Sequence, residues 1–158
     1  MTRVLYAKDY VESKSKKLSE KIKKENLNPI ISTIRVGKDP GSVSYENGIK
    51  KSAKKLGVSV NLNIFDKDVE EDKILEKIRE LNDDEKVGGI VIFRPLPKSI
   101  DEDKISLAID PKKDIDCMNP VNMAKVYNGD VSGFIPQSAK AADELLKFYG
   151  YDVKEKDI

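Results

Sequence analysis

Three runs of β-branched and apolar residues, "PIISTIRVG", "VSVNLNIF" and "VGGIVIFRPLP", stand along the chain with helix-patterned text between them, and this alternation limits the fold more than any other feature. Strands separated each time by a helix are joined by crossovers, and crossovers produce parallel pairing. Ile30 to Val36 reads as a buried strand that Gly37 ends. The run from Val87 lacks alternation, the mark of a strand covered on both faces, and it must end by Pro95, which has no N–H for a central ladder. "VSVNLNIF" alternates, with Val58, Val60, Leu62 and Ile64 on one face and polar residues on the other.

The intervening text has the helical period. From Lys8 to Glu25, Val11, Leu18 and Ile22 recur at helical spacing until "ENLNP" stops them. "GKDPGS" turns into a helix that runs to Gly57, and "VEEDKILEKIRELNDDE" combines an acidic first turn with an Ile74, Ile78, Leu81 stripe. Further helices are predicted near Glu102–Ala108, Pro120–Tyr127 and Ser138–Phe148, and "GYDVKEKDI" reads as a turn entering another strand. The order predicts an α/β fold, a three-layer sandwich with a mainly parallel sheet flanked by helices. Ligands of such sheets bind beyond the C-terminal ends of the strands, which directs attention to "VGKDPGSVSY" and "FRPLPKSID".

Composition narrows the chemistry. The 158 residues, 39% of them hydrophobic, suit one domain with a real core. A net charge of +1, from 29 basic and 28 acidic residues interspersed, implies no nucleic-acid partner. Cys117 is the single cysteine, so an internal disulfide is ruled out and a reducing compartment is expected. With His absent, His-based triads and Cys/His metal clusters are excluded, no metal is expected, and Lys, Asp, Glu and Tyr remain as general bases. No stretch approaches a membrane span, so a soluble, cytoplasmic protein without a membrane partner is expected.

The blocks "VGKDPGSVSYENGIKKSAKKLGV", "GGIVIFRPLPKSID" and "IDPKKDIDCMNPVN" together resemble, in order and spacing, the signatures of a known family. It is the bifunctional 5,10-methylenetetrahydrofolate dehydrogenase/5,10-methenyltetrahydrofolate cyclohydrolase family, and the resemblance is to its N-terminal, folate-binding catalytic domain. That domain has an amino-acid-dehydrogenase-like fold. The resemblance implies a role in one-carbon metabolism, a tetrahydrofolate derivative as substrate, and oxidoreductase and hydrolase activities in a multifunctional enzyme. It implies residues 1–150 as the folate domain and 151–158 as the entry into a Rossmann domain that would bring NAD(P). A homodimer is compatible with it.

The resemblance also assigns residues. Tyr45 matches the family's tyrosine that stacks on the aminobenzoate part of folate, and Asp116 matches the aspartate that hydrogen-bonds the pterin. Pro95 and Leu96 fall in the family's Pro-Leu-Pro block, and Ser42, Phe93, Arg94 and Ser138 are further candidates, Arg94 reading either as a surface cation or as a partner for an anionic ligand tail. The family's catalytic lysine lies four residues after the tyrosine, where this chain has Ile49. Its glutamine partner corresponds to Phe93, so no catalytic position is intact. Lys50 is a displaced substitute only if the helix is irregular near Gly48, because one residue turns a side chain by about 100°. Cys117 stands at a family glycine, and "PQSAKA" lacks the proline and glycine of the last block.

The resemblance therefore implies a folate-domain enzyme with an impaired cyclohydrolase step. The alternatives are a pseudoenzyme or interaction module that keeps the fold and binds another small ligand or partner, and a sister enzyme in which Arg94 or Lys50 supplies a displaced charge. Read without the family, Tyr45, Ile49, Ala53 and Leu56 form an ordinary core stripe, and "KDID" is a solvated turn.

Overall fold

The computed structural model describes residues 4–151. Its elements are α1 (Lys8–Lys24), β1 (Ile30–Val36), α2 (Pro40–Leu56), β2 (Ser59–Phe65), α3 (Glu71–Asp83), β3 (Val87–Ile92), α4 (Glu102–Ala108), α5 (Pro120–Tyr127) and α6 (Gln137–Phe148). The strand expected in the tail lies outside the described residues.

The three strands pair in the order β2-β1-β3, and both pairings are parallel. Side chains alternate across a strand, so β1 divides into two sets: Ile31, Thr33 and Arg35, against Ser32, Ile34 and Val36. The register sets Val60, Leu62 and Ile64 beside the first set, with Val91 next to Thr33. Glu46 of α2 bonds to Thr33 and Arg35, which identifies this as the α2 face. The opposite face carries the core: Ile34, Val36, Ile90 and Ile92 pack with Ile74 and Ile78 of α3 and Ile105 of α4. Each of these buried isoleucines contributes about 1.5 to 3 kcal/mol. Helices thus lie on both sides of a parallel sheet, the expected three layers.

Local chemistry fixes the helix ends. Asp39 caps α2 by accepting from Ser42 N–H at 2.8 Å, Pro40 stands in its first turn, and Gly57 at φ 82° closes it with an N–H to the Ala53 carbonyl. Asp101 accepts from two amides at the start of α4, and Asn119 accepts from Val121 at the start of α5. On the outer side of β3, Ile90 N–H donates to the Lys113 carbonyl at 2.7 Å and Ile90 bridges Asp114 in parallel. Gly89 is what permits this. A Cβ there would lie 2.6 Å from the Ile115 side chain, so the glycine leaves the space in which Ile115 packs against the strand.

Three apolar patterns are covered less fully than their spacing alone suggests. The alternating face of β2 is not buried: Leu62 is 36% and Ile64 52% exposed, because β2 is the edge strand, beyond the helices that cover β1. In α1 only Ile22 of the periodic residues is buried, while Val11 and Leu18 are exposed. The stripe of α2 is core only in part: Ala53 is buried and Ile49 and Leu56 are half-buried, whereas Tyr45 is 60% exposed, and Ser42 and Glu46, outside the stripe, are the helix's other buried residues.

Candidate functional site

At the C-terminal end of the sheet, three segments converge on one cavity of about 260 Å³. The turn after β1 and the first turns of α2 bring Asp39, Ser42 and Tyr45; the end of β3 brings Phe93 and Arg94; the loop after α4 brings Asp116. This is the position that a parallel sheet offers a ligand. Tyr45 meets Phe93 edge to face, with ring centroids 5.7 Å apart and planes at 87°. Phe93 is buried, so an exposed ring stands on a buried one.

The polar groups are held by their neighbours. Asp39 also takes the Ser42 hydroxyl as a neighbour at 3.1 Å, and the two Ser42 donors, N–H first, hold its carboxyl below the usual carboxylate range. The same hydroxyl lies 3.4 Å from the Arg94 carbonyl, joining α2 to the end of β3 just before the cis Arg94–Pro95 bond. The Arg94 guanidinium stands 3.7 Å from Glu102, with half of its side chain exposed. Cys117 has φ 59° and is buried, and burial first, then the charges of Asp114 and Asp116, push its thiol pKa up. A low-pKa nucleophile is the opposite of this environment.

Not all the residues singled out from the sequence meet here. Leu96 points into the core cluster and its N–H donates to Glu102 at 3.3 Å, so its side chain does not face the cavity. Pro95 is exposed beside the site. Ser138 is exposed in the first turn of α6, and the cavity lining does not include it. Helix α2 runs unbroken across Gly48, and Lys50 is exposed on it. Ile49 instead lines a second, more apolar cleft of about 420 Å³ with Ile31, Ala53, Leu56 and Val58, which begins at Tyr45.

Two polar arrangements went unread in the sequence. Asp114 is fully buried and accepts from Met118 N–H at 2.8 Å, Asn119 N–H at 2.9 Å and Asn122 Nδ2 at 2.9 Å. It builds the loop from which Asp116 projects. Arg35 and Glu46 form a buried ion pair at 3.2 Å beneath α2. The signal for both was available: a charged residue inside a buried strand, or an aspartate just ahead of two asparagines, needs a partner once water is gone.

The family model described as the tetrahydrofolate dehydrogenase/cyclohydrolase catalytic domain matches residues 5–116. The chain belongs to this family. It is 34% identical, over 161 aligned residues covering 100% of this chain and 57% of the relative, to the bifunctional protein FolD of Clostridium botulinum strain Langeland. The fold is similar to that of a 5,10-methylenetetrahydrofolate dehydrogenase from the silkworm, Bombyx mori, with TM-score 0.89, 33% identity, and coverage of 97% of this chain and 54% of that one. It is also similar to the Trypanosoma brucei methylenetetrahydrofolate dehydrogenase-cyclohydrolase solved with NADP cofactor and inhibitor, with TM-score 0.88, 26% identity, and coverage of 96% and 53%. The chain thus spans little more than half the length of these relatives. Among the described residues, no helix is long and apolar enough to cross a membrane, and no cluster of three or more Asp, Glu or Cys side chains is arranged to hold a metal ion.

Proposed function

We propose that this chain is the folate-binding domain of a one-carbon enzyme in which the dehydrogenase function is served and the cyclohydrolase step is weak. The observation that carries the reading is the Tyr45–Phe93 ring pair. In the proposed role the exposed Tyr45 ring stacks on the aromatic middle of a reduced folate. Asp116, on the loop across the cavity, accepts the paired N–H groups of its amino-pyrimidinone ring, a bidentate recognition that rejects rings lacking them. Phe93 and Ile49 occupy the positions that would otherwise supply an amide and an ammonium, so no acid/base group serves the opening of a methenyl bridge. Such help is worth about 10²- to 10⁴-fold in rate.

Hydride transfer asks less of these side chains, since it depends chiefly on positioning. A nicotinamide cofactor is the hydride acceptor in such a reaction. This chain contains no G-x-G-x-x-G run to seat a pyrophosphate, so the proposal assigns cofactor binding to a domain corresponding to the rest of the relatives' length.

The test is titration with tetrahydrofolate by calorimetry, for the wild type and for Asp116→Ala. Saturable binding that Asp116→Ala abolishes is expected; no binding at millimolar ligand defeats the reading. Cyclohydrolase turnover should be slow in the wild type and rise in Ile49→Lys/Phe93→Gln. A wild type that is already fast defeats the second half.

One observation favours a second reading. The apolar cleft that Tyr45 shares with Ile31, Ile49 and Leu56 suits a small apolar ligand or partner better than a folate. Under that reading a thermal-shift screen would raise the melting temperature with such a compound and leave it unmoved by folates.

A further inference from the structure

The Arg35–Glu46 pair is an expensive device in an unremarked place. Arg35 is 6% and Glu46 3% exposed, and taking two charges out of water is costly, so an apolar pair of similar volume is commonly as stable or more so. Stability alone does not account for it. What the pair does geometrically is tie three segments together. Glu46 accepts from Arg35 Nε at 3.2 Å and from the Thr33 hydroxyl at 3.3 Å, while Arg35 Nη1 donates to the Gly37 carbonyl. Gly37, at φ 75°, is where the chain leaves β1 for the turn that carries Asp39, the cap of α2.

Tyr45 needs such support. At 60% exposure, with its ring contact to Phe93 edge-on, it is not held by packing around it. Its direction follows from the rotation of α2 about its own axis. Glu46 is the next residue, about 100° round the helix, and Ser42 lies one turn before it on the same face. Pinning Glu46 to the sheet and Ser42 to Asp39 sets that rotation at two points.

We propose that Arg35 and Glu46 are a positioning pair: by fixing the Gly37–Ser42 turn and the rotation of α2, they orient Tyr45 toward the ligand without touching it. The ligand-facing role of Tyr45 and the choice of tetrahydrofolate as probe rest on the function proposed above; the fixing of the turn and of the helix rotation does not.

The experiment compares the wild type, Arg35→Met/Glu46→Leu and Arg35→Lys. The double variant replaces the charges by apolar groups and should keep its melting temperature. Amide exchange at Ser42 and Val43 should nonetheless rise by about tenfold, with exchange at Ala53 to Leu56 unchanged. Its dissociation constant for tetrahydrofolate should rise by about tenfold. Arg35→Lys keeps a charge opposite Glu46 but not the fork that reaches Gly37, and should fall between the two in both readouts. The proposal is overturned if exchange at 42–43 is unmoved or rises equally along all of α2, if affinity is unchanged in a folded double variant, or if Arg35→Lys equals the wild type. Should the double variant not fold, Arg35→Lys alone decides. If the wild type itself does not bind tetrahydrofolate, the proposed function fails, and the exchange pattern still decides this inference.

Discussion

The two faces of the β1 strand are built on different terms. On the α3 side, Ile34, Ile90 and Ile92 meet Ile74, Ile78 and Ile105, a dense apolar layer whose one discordant atom among the described residues is the unpaired Ser32 hydroxyl. On the α2 side, the same strand presents Ile31, Thr33 and Arg35 to a helix that answers with Glu46, an apolar cleft and an exposed tyrosine. One face holds the fold together by burial. The other buries Thr33, Arg35 and Glu46 as a hydrogen-bonded polar group and leaves an apolar cleft and an exposed ring beside it. A single strand can therefore separate apolar packing from directed polar bonding residue by residue, because its side chains alternate.

This contrast can be broken most severely from the packed side. Ile78→Ala should cost about 3 to 5 kcal/mol in urea unfolding, as expected for a large-to-small change at a site with no exposure. Ile49→Ala, in the half-buried cleft of the other face, should cost about 1 kcal/mol. Equal losses at both positions would erase the distinction.

The loop after α4 repeats the contrast at shorter range. Asp114→Ala strips three buried donors of their acceptor and should destabilise by about 3 kcal/mol, read by the same unfolding curves. Asp116→Ala should stay within about 0.5 kcal/mol of the wild type and change ligand binding instead. A smaller effect of opposite sign is expected at Ser32. Its hydroxyl is buried without a partner, so Ser32→Ala should raise stability by about 1 kcal/mol.

The slightest effect concerns pH. The Asp39 carboxyl titrates below its usual range because Ser42 N–H and O–H donate to it. A carboxylate whose folded pKa is depressed adds stability above its unfolded value, near pH 4, and that increment is lost as the pH falls through the lower folded value. Asp39→Asn should therefore flatten the acid limb of a melting-temperature profile below about pH 4 and leave the profile above pH 6 nearly parallel to the wild type.

Much of the fold was legible because periodicity reports burial where layers are complete. The Ile74, Ile78, Leu81 stripe and the unalternating β3 run are buried as read. The same rule says less on β2 and on α2. Alternation says which side chains share a face, not whether anything covers that face, and β2 sits at the edge, with Leu62 and Ile64 open. At the site, Tyr45, Phe93, Arg94, Ser42 and Asp116 line one cavity, a convergence read from the family blocks and not from any local pattern. Leu96 was misplaced because a short Pro-flanked segment does not declare which way its middle side chain turns. Asp114, Arg35 and Glu46 were passed over for a different reason. Glu46 meets Arg35 across 11 residues and from another element, while Asp114 bonds only 4 to 8 residues ahead but within an irregular loop, where no period marks which side chains turn inward.

Gly89 gives the site a property that no cavity lining reveals. Because no Cβ intervenes, the segment before Asp116 lies directly on β3 and is stitched to it by the Ile90 amide. The aspartate is thus carried by the sheet's own framework, already in place when a ligand arrives. Little loop-ordering entropy remains to be lost on that side of the cavity, so binding strength there should depend on chemical match more than on induced closure. Under the proposed function, a change of ligand would then act through the identity of residue 116, since its location is anchored by the strand beneath.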